Sequence, residues 1–178
     1  MKNASRALIV IDVQNDYFPG GAYPLWNGEE TLTRIEEAIA LAQTQELPIL
    51  YVQHLAPARP GGASFFTTGT AGAEIHPRLR AAAPQATVVV KEYADSFVNT
   101  TLEEVLAHLG TEELLICGMM TQNCVTHTAI SKSAEKYKVT VLADCCTTVD
   151  AMIHKFALNA LALRVALAPA ATALRTED

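Results

Sequence analysis

Six short apolar runs alternating with longer amphipathic stretches predict a doubly wound α/β domain. The expected architecture is a three-layer α/β/α, Rossmann-like sandwich around a mainly parallel sheet of about six strands. Two observations carry the prediction. The runs lack strict polar–apolar alternation, so they suit strands covered on both faces. The segments between them repeat their apolar residues at helical spacing. At 178 residues the chain has room for one well-filled core, so residues 1–178 are expected to form a single domain.

In chain order, the strands are expected at ALIVIDV (7–13), PILYVQ (48–53), TVVVK (87–91), ELLICG (113–118), KVTVLA (138–143) and, more weakly, RVALA (164–168). After the first, residues 28–45 bring Leu32, Ile35, Ile39 and Ala42 onto one helical face. NTTLEEVLAHLG (99–110) opens with Thr100 and Glu103 at capping-box spacing and ends on Gly110. A helix is expected to begin around Cys124. The stretch 55–84 is rich in Pro, Gly, Thr and Ala and reads as a long loop with one short helix, shaping the mouth of a site. His76, followed by Pro77, belongs to a loop or a helix start. Asp144 is expected to end the fifth strand and cap a turn.

Half of the residues are hydrophobic and 18% are charged, which excludes a disordered chain. A formal charge of −6 without Lys/Arg runs excludes an electrostatic footprint for nucleic acid or an anionic membrane. The apolar run Ala7–Ile11 is too short for a signal-peptide core or a bilayer span, so a cytoplasmic protein is expected. Cys117, Cys124, Cys145 and Cys146 are spaced for neither a zinc ribbon nor a disulfide framework and should be free thiols. No G-x-G-x-x-G follows the first strand, which argues against a dinucleotide-binding domain.

Three reactive side chains fall at carboxyl ends of strands, where such sheets bind ligands. Asp12 closes the first, Lys91 closes the third, and Cys124 follows the fourth. A helix N-terminus and a lysine would lower the pKa of the Cys124 thiol, and Asp12 could act as general base. Nucleophilic attack by sulfur needs no histidine in this arrangement.

IDVQNDYFPGG (11–21), KEYADSFVNTTLEEVL (91–106) and CGMMTQNCVTHTAI (117–130) resemble the three signatures of the isochorismatase-like cysteine hydrolases, collinear from residue 6 to residue 168. The resemblance implies a catalytic triad of Asp12, Lys91 and Cys124. It also implies a cis peptide between Met119 and Met120, and an oxyanion hole made by the backbone N–H groups of Met120 and Cys124. The isochorismatase branch generally lacks the cysteine. Cys124 therefore points to hydrolysis of a C–N bond in a small amide, carbamoyl or ureido substrate through a thioester.

Nicotinamidase relatives carry an Asp-x-His and further histidines that bind a metal. Here the comparable stretch, YVQHLAPARPGGASFF, offers only His54, so no metal and no cofactor are expected. A metal-assisted nicotinamidase and a catalytically silent binding scaffold are the alternatives. Tyr17, Phe18, His54, Phe65 and Phe66 are candidate pocket residues. Gln14, Asn15, Asn123 and Cys117 are expected to be structural, and His127 and Thr128 to face the sheet, a neighbouring subunit or the pocket. Family members commonly assemble, and the apolar tail 156–174 is consistent with a homo-oligomer.

Overall fold

The computed structural model describes residues 5–58 and 65–175. Residues 59–64 of the expected loop, and the two ends of the expected domain, lie outside the described residues.

Six strands, β1 (Arg6–Ile11), β2 (Ile49–His54), β3 (Thr87–Lys91), β4 (Glu113–Met119), β5 (Lys138–Thr147) and β6 (Ala166–Ala168), form one sheet in the order β3-β2-β1-β4-β5-β6. All five pairings are parallel. The helices are α1 (Gly28–Thr44), α2 (Pro77–Ala82), α3 (Leu102–His108), α4 (Thr126–Ala129), α5 (Ala151–Leu161) and α6 (Ala170–Ala173). The chain leaves β1 first toward β2 and later, through β4, in the opposite direction. Right-handed crossovers then put helices on both faces. Among the described residues no helix is long and apolar enough to cross a membrane.

Burial follows the apolar pattern in the central strands, whereas Val88 and Val90 of β3 are exposed. Every residue of β4 is buried, as are Ala7 to Ile11 of β1, so these two form the centre of the sheet. Leu32, Ile35, Ile39 and Ala42 are the buried face of α1. Each large side chain removed from water in this way contributes about 1.5–3 kcal/mol. The strand order reverses between β1 and β4, and that switch point is the crevice where open α/β sheets bind ligands.

Two expectations change. The capping box is absent: α3 begins at Leu102 behind Thr101, which makes no side-chain cap. Thr100 Oγ1 instead accepts from Leu102 N and donates to Ser96 O, while Glu103 pairs with Lys136. The fifth strand continues past Asp144. The β4–β5 register slips between Ile116 and Gly118, so residues around Asp144 bulge out and its carboxylate accepts from Ala170 N at 2.8 Å. The Lys91 strand, β3, is the edge strand, with β2 between it and β1. A long lysine side chain bridges the intervening strand.

Gly118 fixes how closely β4 approaches β1. Its φ is +124°, and a Cβ there would lie 2.1 Å from Ile11 O. Backbone on both sides cannot yield, so Gly118→Ala is expected to cost at least about 3 kcal/mol. That corresponds to a fall in Tm of about 6–12 °C in thermal melts. An unchanged melt would show that β4 can withdraw from β1 freely.

Candidate active site

Asp12 is the residue after β1. Its N–H donates to Val52 O at 2.9 Å, and its φ of 53° turns the chain out of the sheet, a conformation that aspartate tolerates better than most residues. Lys91 ends β3 opposite His54, the last residue of β2. Cys124 lies in a π-helical turn, Thr121–Val125, between β4 and α4, a local widening that is frequent at functional sites. The peptide between Met119 and Met120 is cis. Met120 O accepts from Asn123 N (3.0 Å) and Val125 N (3.3 Å). Among the described residues no acceptor meets the Met120 N–H.

The side chains of Asp12, Lys91 and Cys124 converge in the interior. Lys91 Nζ lies 2.8 Å from Asp12 Oδ2, with both side chains fully buried. It donates to Cys124 Sγ at 3.3 Å, to Tyr93 O at 3.1 Å, and contacts His54 Nδ1 at 3.0 Å. The Lys91–Asp12 contact is a fully buried ion pair. Among the described residues both Asp12 oxygens lack hydrogen-bond partners. A buried carboxylate with so few partners is uncommon and informative, and it keeps acceptor capacity for a neighbouring thiol or a water.

Ionisation runs against the sequence expectation at Cys124. Burial, and after it the negative charge of Asp12, push the thiol well above its ordinary range, and Lys91 pulls it back only in part. Burial would lower the Lys91 ammonium, but its contacts with the Asp12 carboxylate first and the Cys124 sulfur after it outweigh that and hold the group above its usual value. The resting site is therefore an Asp12–Lys91 ion pair beside a neutral thiol. Burial, then Lys91, push His54 downward, so its imidazole is neutral. Burial raises the Tyr17 phenol, and the neighbouring Asp12 charge adds to that.

Ligand atoms of Asp12, His54 and Cys124 all lie within 4.8 Å of one another, a spacing that could hold a metal ion. The set does not fit one. The Lys91 ammonium already lies 2.8–3.3 Å from Asp12 Oδ2, His54 Nδ1 and Cys124 Sγ, so a positive charge occupies the place a metal ion would take.

Aromatic rings flank this cluster. Tyr17 meets Phe66 at 4.5 Å and Phe65 at 5.6 Å between centroids, Phe65 meets Phe66 at 5.1 Å, and His54 lies 6.0 Å from Phe66. The expected pocket residues Tyr17, His54, Phe65 and Phe66 thus come together. Phe18 packs its ring on His76 at 4.4 Å, and His76 caps α2 by accepting from Arg78 N. Thr128 is buried and holds Ser96 N and Oγ, and His127 contacts Asn123 O, so neither joins the cluster.

Two organising residues carried no clear sequence signal. Asp16 accepts from Ala22 N (3.0 Å) and Phe66 N (2.6 Å), pinning the long loop beside Tyr17. Gly72 backs onto that carboxylate, where a Cβ would lie 2.0 Å from Asp16 Oδ1. Gln14, expected to be structural, clamps His54 through both its N–H (2.8 Å) and its C=O (2.9 Å).

The sequence pattern of the isochorismatase domain matches residues 6–174. The uncharacterized isochorismatase family protein YddQ of Bacillus subtilis is 37% identical, over 84% of this chain and 82% of that protein. The nicotinamidase of Escherichia coli is 27% identical, over 82% of this chain and 84% of its own. The crystal structure of an isochorismatase family protein from Desulfovibrio vulgaris superposes with a TM-score of 0.87 at 27% identity, over 96% of this chain and 97% of that one.

Proposed function

The chain belongs to the isochorismatase family, and on that premise we propose that it is a cysteine hydrolase cleaving the C–N bond of a small amide, carbamoyl or ureido compound. The observation that carries the reading is the buried Lys91 ammonium, in contact with both the Asp12 carboxylate and the Cys124 thiol at the switch point. Hydrolase chemistry is common to the family and its nicotinamidase relatives. What the neutral thiol adds is the order of events.

Asp12 takes the Sγ proton as sulfur attacks the carbonyl carbon, so negative charge passes from carboxylate to thiolate to oxyanion while Lys91 stays beside it. The N–H groups of Met120 and Cys124 hold the oxyanion. Collapse breaks the C–N bond, and protonated Asp12 gives its proton to the leaving ammonia or amine. Asp12 then deprotonates the water that attacks the thioester, releasing the acid and regenerating the thiol.

The test is ammonia release from a panel of small amides, carbamoyl and ureido compounds, nicotinamide included, before and after treatment with a chelator. Turnover that survives the chelator, with an acyl mass adduct on Cys124, is the expected result. Activity that depends on added metal would replace this reading with a metal-assisted nicotinamidase. Absence of any turnover, together with ligand binding, would favour a silent scaffold.

A further inference from the structure

We infer that His54 is a specificity-determining residue whose Nε2–H grips a hydrogen-bond acceptor on the unreacting part of the substrate, next to the scissile carbonyl. The inference rests on the cysteine-hydrolase reading of the same site.

An ammonium group has three N–H donors and no lone pair. Lys91 Nζ lies within hydrogen-bonding distance of His54 Nδ1, Tyr93 O and Cys124 Sγ, and 2.8 Å from Asp12 Oδ2. The proton in the Lys91–His54 contact therefore belongs to the lysine, and Nδ1 presents its lone pair. A neutral imidazole in that position carries its own proton on Nε2.

That donor has no acceptor among the described residues, and the ring is only half-buried. The ring is also rigidly set, because Gln14 holds the His54 backbone on both sides. One His54 ring nitrogen lies within 4.8 Å of Cys124 Sγ, so an acceptor bound at Nε2 shares the pocket of the carbon that sulfur attacks. The neighbouring walls, Phe65, Phe66 and Tyr17, are aromatic. A substrate that covers His54 there without offering an acceptor leaves a donor unpaired, and sites built this way reject such analogues. The favoured class is an amide with a second oxygen acceptor beside the reacting carbonyl, as in an oxamoyl group, over a plain aliphatic amide of equal size.

The experiment compares kcat/KM for oxamide and propionamide in the wild type, His54→Leu and His54→Gln. Taking the ratio within each protein cancels losses common to both substrates. The intrinsic reactivity difference cancels between proteins. His54→Leu is expected to reduce the oxamide preference about tenfold or more. His54→Gln should restore much of it, because its Oε1 can accept from Lys91 while its Nε2 donates. An unchanged preference in His54→Leu would overturn the inference.

A second arm needs no turnover. ¹⁵N-histidine NMR of the wild type should show His54 as the Nε2–H tautomer, with its resonance moved by oxamide and not by propionamide. An Nδ1–H tautomer, or no movement at saturating oxamide, would also overturn it. If neither amide is hydrolysed, the wider panel decides the hydrolase reading, and the NMR arm decides the role of His54.

Discussion

Replacing Cys124 with alanine is expected to lower kcat for ammonia release by about 10⁴-fold or more, since removing a covalent nucleophile removes the reaction path and not one contact. Its stability should change far less. The resting sulfur is neutral, so the Asp12–Lys91 pair survives the substitution, and the lost thiol leaves only a small cavity, worth about 1–2 kcal/mol. Thermal melting and ammonia assays on the same preparation check both halves. Retained ammonia release in Cys124→Ala would sink the thioester path and point to direct attack by water.

Asp12→Asn is expected to separate ionisation from catalysis. The Asp12 charge is the second cause, after burial, of the raised Cys124 pKa, so removing it should lower that pKa. At the same time the proton acceptor is gone, and kcat should fall about 10³-fold or more. The wild type should therefore react with iodoacetamide only above the ordinary thiol range near pH ~8.5. Asp12→Asn should react at lower pH, and Lys91→Met at still higher pH, because Lys91 is the one group pulling the thiol down. Activity and thiolate formation moving in opposite directions is an outcome that a purely structural Asp12 does not produce. Leaving Lys91 buried without its carboxylate should also cost about 3–5 kcal/mol, so the labelling is read below the variant's own melting transition. Slower labelling in Asp12→Asn than in wild type would overturn this account.

The positions of these residues were legible because parallel strands announce themselves as apolar runs and bring their carboxyl ends to one edge. Asp12, Lys91 and Cys124 could be found by that rule alone. The state of the sulfur could not, because a helix start and a lysine are visible in letters while the depth of burial is not. Burial reversed the sign. The capping box at Thr100 and Glu103 failed for a related reason: Ser96 and Lys136 offered those side chains better partners. Phe18 and Tyr17 are adjacent, yet one faces His76 and the other Phe66. Sequence distance does not resolve opposite sides of a turn. The pinning of Phe66 by Asp16 spans a loop whose path no local pattern encodes.

The edge position of β3 bears on how long the site stays assembled. That strand pairs with β2 alone, and Val88 and Val90 are 39% and 47% exposed. Only Val89 and Lys91 among its residues are buried, so the lysine that serves the sulfur is also one of two anchors holding the strand down. Edge elements with so few buried contacts open without global unfolding. Amide protons of β3 should therefore exchange faster than those of β1 and β4, and mild denaturant should silence the protein while its central strands remain protected.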